Sequence, residues 1–163
     1  MFDSITHWCN GESECEFDRL GFCHVIPWLE RRMQADAPTL PLAELLLKKK
    51  QIVKLNQKDV IDTVMLLLEH ELGDTDAETV LRSRVAELCW ADWGLWRTTT
   101  MNLHKVRQLG CSYSQLAASD WEILAARVEL LLAYLDSAPK SLGWRIRSKL
   151  GDPVKWYKDV DEV

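Results

Sequence analysis

Cysteine and histidine gather at one end of the chain. The run His7-x-Cys9-x5-Cys15-x7-Cys23-His24 holds three of the five cysteines and two of the four histidines. Thiolate and imidazole close tetrahedral zinc sites, and a structural ion can stabilise a segment that lacks a core of its own. The spacing fits that chemistry poorly: there is no Cys-x2-Cys knuckle, and adjacent Cys23 and His24 seldom both reach one ion. The simpler expectation is that Cys23 packs inward with Phe22 while His7, Cys9, Cys15 and His24 ligate nothing. No cofactor is then expected, and structural zinc is the alternative.

A second constellation is Trp90-x2-Trp93-x2-Trp96, in a chain with eight Trp but only three Phe and three Tyr. Steps of three keep the indoles on one broad helical stripe, drifting by about a sixth of a turn each time. Such a stripe is either the centre of a bundle or an outward docking face, because Trp offers large area and one donor at small entropic cost. Val85, Leu88 and Cys89 share its side. Burial is therefore expected, with one edge left open.

The third is a basic-aromatic stretch containing Lys140, Trp144, Arg145, Arg147, Lys149, Lys155, Trp156, Tyr157 and Lys158. Arg145 and Lys149 are four apart and share a helical face, with Leu142, Ile146 and Leu150 expected on the opposite one. Cations beside rings can hold phosphates and stack bases. A solvated amphipathic helix whose cations complement its own C-terminal dipole has the same pattern, and is the plainer account.

Catalytic signatures do not emerge. The seven glycines stand singly and never form G-x-G, so no phosphate loop is present. His70-Glu71 begins like a zincin helix, but Asp74 holds the place of the second ligand, just after Gly73. His104 and Cys111 flank the Gly110 stop, a poor arrangement for a base and its nucleophile. A non-enzymatic protein is expected.

The elements that must position these groups read as helices. At 163 residues the chain can bury one real core, and seven Gly with five Pro imply few, long elements. A helix is expected from Pro27 to about Ala35. Another starts near Pro41 and carries Leu42, Leu45, Leu46 and Ile52 inward, with Lys48–Lys50 in water. Asn56 caps a third, running to about Leu72 with Gly73 at its end. Thr75 and Glu78 form a capping box that opens a helix to about Arg97, and a break at Thr98–Thr100 precedes a short helix closed by Gly110. Ser119 and Glu122 repeat the box before a stripe of Trp121, Leu124, Val128, Leu131 and Leu135. Pro139 opens the last helix, which Gly151 and Pro153 stop. No strand pattern persists beyond three residues.

The predicted fold is thus all-α: a compact bundle of about six or seven helices with an irregular N-terminal segment. Residues 1–26 form that segment, 27–151 the bundle and 152–163 a tail. The longest apolar run, Leu130–Leu135, is far short of a membrane span. The first residues lack a basic stretch followed by an apolar one, and the cysteine count is odd, so a cytoplasmic or nuclear protein is expected.

Net charge of −5 weighs against indiscriminate nucleic-acid binding. The charge is polarised: residues 1–18 carry five acids and no Lys or Arg, while 140–158 carry six cations against Asp152 alone. Such ends can attract each other within one chain or head-to-tail between copies. The expected function is protein interaction through a Trp-rich apolar surface, as an adaptor, chaperone, inhibitor or assembly subunit. Another protein or a second copy is the expected partner, and no membrane. The alternative is a nucleic-acid-binding accessory protein using the 140–158 stretch, with a zinc-held N-terminus.

Overall fold

The computed structural model describes residues 19–21, 23–27, 32, 39–137 and 139–159. The expected all-α bundle forms. Its helices are α1 (Leu42–Lys50), α2 (Gln57–Glu69), α3 (Arg82–Ala91), α4 (Trp93–Gly110), α5 (Ala118–Ser137) and α6 (Leu142–Leu150). Helix α4 is the hub and touches the other five. The core gathers Leu46 and Leu47 of α1, Val60, Val64 and Leu67 of α2, and Val85, Ala86 and Cys89 of α3. Leu103 and Val106 of α4 and Leu124, Val128, Leu131 and Leu135 of α5 also belong to it, as do Ile26, Ala43, Val80, Leu88 and Leu95. Three- and four-residue spacing places each set on one side of its helix, which is why these helices pack rather than fray.

Asn56 caps α2 as expected, its side chain accepting from the Asp59 N–H at 2.8 Å. The helix ends at Glu69, earlier than its pattern suggests, because Leu72–Gly73 (β3) pairs in parallel with Val80–Leu81 (β4). The connecting loop holds Glu78 at φ 58°, so Thr75 and Glu78 do not form a capping box and α3 starts only at Arg82. Helix α2 has no cation in its own last turn. Arg127 of α5 supplies one, donating to the carbonyls of Leu67 (2.7 Å), Leu68 (2.9 Å) and His70 (3.2 Å).

A second small ladder pairs β1 (Arg19–Gly21) with β2 (Val25–Pro27), antiparallel. Pro27 therefore ends a strand instead of opening a helix, and most of the helix expected to Ala35 lies outside the described residues. Ile26, on the same strand, is fully buried.

The break in the tryptophan region falls elsewhere than expected. Asp92, not Thr98–Thr100, interrupts the chain: its carboxylate accepts from Gly94 N (2.7 Å) and Leu95 N (3.3 Å) and so caps α4. A cap of this kind stabilises a helix start by about 1 kcal/mol. The threonines continue the helix, with the Thr100 hydroxyl donating to the Trp96 carbonyl at 2.8 Å.

Lys50 is a second correction. Lys48 and Lys49 are half-exposed, but Lys50 is fully buried. Asn102 of α4 donates Nδ2 to the carbonyls of Lys50 (2.9 Å) and Ile52 (2.7 Å), drawing the end of α1 inward. Burial pushes the Lys50 amine down to about 7, with Asp59 opposing and Lys49 and Lys105 adding to the shift. Nearby, Glu44 is buried but accepts from Arg32 (2.9 and 2.6 Å) and Arg84 (3.0 Å), and Arg32 also donates to Asp76. A carboxylate survives burial only with such partners.

Candidate functional site

Helix α6 and the tail behind it are held by the tryptophan stripe. Trp93 is buried, while Trp90 and Trp96 are half-buried against the core. Trp90 donates its indole N–H to the Leu135 carbonyl (3.1 Å) and packs on Tyr134. Trp96 meets Trp144 of α6 edge-on, centroids 5.1 Å apart. Trp93 meets Trp156 of the tail edge-on at 5.9 Å. The stripe thus faces a second layer of the same chain.

The start of α6 is fixed by Ser141, whose hydroxyl accepts from Trp144 N (3.1 Å) while its own N–H donates to the Trp90 carbonyl (3.4 Å). Its end is fixed by Gly151 at φ 59°, a left-handed conformation that favours glycine. Beyond it the tail crosses the first turn of α4. A Cβ on Gly94 would lie 2.8 Å from the Trp156 carbonyl oxygen, so only glycine admits this crossing.

The basic-aromatic residues divide into two groups. Trp144, Arg147 and Ser148 face the body of the protein. The Arg147 guanidinium lies 4.5 Å from the Trp93 ring centre and donates to the carbonyls of Gly151 and Val154. Lys140 lies 5.4 Å from the Trp144 ring and donates to the Leu135 carbonyl. Its pKa is lowered, chiefly by burial. Lys155 pairs with Asp159 and lies over the Tyr157 ring. Arg145, Lys149 and Lys158 are exposed, and their side chains have no hydrogen-bond or ion-pair partner among the described residues.

The outer side of α6 carries its aliphatic residues. Leu142, Ile146 and Leu150 are 73%, 58% and 53% exposed, and no residue of α6 is buried. At 100° per residue these three form a row, and Arg145 and Lys149 form a second row along one edge of it. The sequence expectation had set the two rows on opposite faces. Nothing in the spacing reveals that the indole side, not the aliphatic side, is the one held.

The two described members of the Cys/His run belong to a different junction. Cys23 and His24 are both buried. His24 Nε2 lies 2.9 Å from Thr98 Oγ1, and Trp156 Nε1 donates to the same oxygen at 3.0 Å. With one lone pair taken by Trp156, the Thr98 hydroxyl can donate to a neutral His24. Burial lowers the His24 pKa below its ordinary value of 6.5, with Asp92 opposing. The Lys158 N–H donates to the Cys23 carbonyl at 3.0 Å, which closes the junction. His7, Cys9 and Cys15, like Phe22, lie outside the described residues. Among the described residues no three His, Cys, Asp or Glu side chains converge as metal ligands, and no helix is long and apolar enough to cross a membrane.

Sequence spacing pointed to none of this junction, since its partners lie 74 and 58 residues apart. No protein-family model, curated protein or solved structure matches this chain.

Proposed function

We propose that this chain is a non-enzymatic helical interaction protein that docks another protein along the outer side of α6. One observation supports this above the rest: an amphipathic helix fixed with its aliphatic row in water. Apolar burial is favourable by about 25 cal/mol per Å², so a helix packed for stability alone would turn Leu142, Ile146 and Leu150 inward. The tryptophans behind it, the docking surface expected from sequence, instead serve as the support that holds this orientation. Contiguous apolar surface of this kind marks interaction sites.

Recognition of nucleic acid draws less support. Trp144 and Trp156, the rings that would stack bases, meet Trp96 and Trp93. Of the cations, only Arg145, Lys149 and Lys158 remain exposed without a side-chain partner among the described residues.

The test is photo-crosslinking in the source cells. A crosslinking residue at position 146 of the full chain is expected to trap one protein of defined mass, and the same residue at exposed position 104 is not. Leu142→Ser with Leu150→Ser should remove the adduct without lowering the melting temperature. Equal labelling from both positions, or none from position 146, overturns the proposal.

A further inference from the structure

We infer that the partner presents an acidic amphipathic helix to α6. This rests on the docking function proposed above and names the chemistry of the occupant. Helix α6 contains no Asp or Glu, and its outer surface combines the Leu142–Ile146–Leu150 row with the Arg145–Lys149 row beside it. A complementary surface needs aliphatic side chains repeating every three or four residues, with carboxylates along one edge four residues apart. That repeat is the face of a helix, and ridges four apart interdigitate with ridges four apart. Gly143 lies at the uncharged edge of the aliphatic row, and a Cβ placed there would meet nothing within 4 Å. The backbone of a second helix can therefore approach closely on that side.

Other occupants fit less well. Two α6 helices paired antiparallel would set Arg145 and Lys149 against their own copies, and paired in parallel would set them against the Gly143 edge, with no carboxylate on either helix to compensate in either case. An anionic bilayer would meet a chain of net charge −5, and Trp144, the indole that would anchor the helix at such a surface, packs against Trp96. Exposed Ile61, Met65, Leu109, Ile123 and Leu130 lie on helices that bury another row, whereas α6 buries none. The aliphatic row is only about 12 Å long, far less than a standard interface needs. The contact is therefore weak and salt-sensitive.

The probes are two synthetic 14-residue helical peptides with the same leucine row, one edged with glutamates and the other with lysines. They are titrated into the isotope-labelled full chain and followed by amide chemical shifts. The glutamate peptide is expected to shift residues 141–151, and the lysine peptide to bind about tenfold more weakly, as two inverted charge pairs imply. Arg145→Glu with Lys149→Glu should reverse that order. Equal binding of both peptides at α6 overturns the acidic partner while leaving the docking function standing. Shifts that avoid α6 with both peptides overturn the acidic partner, and the crosslinking test then decides the docking function alone. Concentration-dependent broadening at α6 without peptide would make a second copy the occupant. Sedimentation with phosphatidylserine vesicles, or shifts of residues 141–151 by single-stranded RNA, lost in either case in the double charge variant, would replace the helix by a membrane or a nucleic acid.

Discussion

Helices α5 and α6 carry the same apolar signature and meet opposite fates. In α5, Leu124, Val128, Leu131 and Leu135 recur at three- and four-residue steps and are shielded from water. In α6, Leu142, Ile146 and Leu150 recur at steps of four and are mostly in water. The difference lies in the opposite side of each helix. The outward side of α5 offers Glu122, Ala126 and Glu129, of which only Glu129 reaches a neighbour, in an exposed ion pair with Arg107 of α4, and such pairs contribute little. The far side of α6 offers an indole and a guanidinium, and α4 presents matching rings to both. An aromatic pair adds about 0.5–1.5 kcal/mol beyond its area, which helps hold this side of the nine-residue helix inward without matching what burial of the aliphatic row would contribute.

The largest effect that would break this contrast is expected inside α5. Leu131→Ala should cost about 2–5 kcal/mol in urea denaturation, since a fully buried leucine leaves a cavity as well as lost transfer energy. Trp144→Ala is next: about 1 kcal/mol, confined to α6. Hydrogen exchange should quicken over residues 141–151 and stay unchanged in α5. Uniform quickening would mean that the two helices unfold as one unit.

Acid should separate the regions further. Because burial lowers the His24 pKa, the unfolded chain takes up the proton more readily than the folded one. The contribution is complete above pH 6.5 and is lost as pH falls below it. In the otherwise unaltered chain, the amide signals of Trp156 and Lys158 should shift before the α5 circular dichroism changes, and His24→Gln should flatten the response. The smallest effect is expected from Ile146→Ala, within about 0.5 kcal/mol of the parent protein, as for surface positions generally. A loss of 2 kcal/mol or more would place Ile146 in a core and remove the contrast with α5.

Periodicity revealed which residues share a side, and for α2 and α5 that was enough because the longest apolar row is the one buried, although Ile61, Met65, Ile123 and Leu130 stay exposed. It could not reveal which side of α6 is covered, because two rows compete there. Trp144 with Arg147 and Ser148 makes one, Leu142 with Ile146 and Leu150 the other, and both qualify by spacing. Lys50 was unreadable for another reason. Its burial follows from Asn102, 52 residues away, holding the carbonyl above it, and a run of three lysines gives no hint of that. Asp92 was legible in principle as a cap, but three consecutive threonines looked like the stronger interruption. A threonine hydroxyl can satisfy itself on the preceding turn, as Thr100 does, so the helix runs on. The candidate site was legible in its membership and illegible in its orientation.

The bond from Lys158 to Cys23 also has a mechanical meaning. It brings positions 135 residues apart in sequence to within 3.0 Å, so a pull applied between them does not load the bundle first. The force falls on that bond and on the Thr98 hydroxyl shared by His24 and Trp156. In an optical trap attached at residues 23 and 158, the tail should peel away at low load, and the interior should rupture only in a later, separate event.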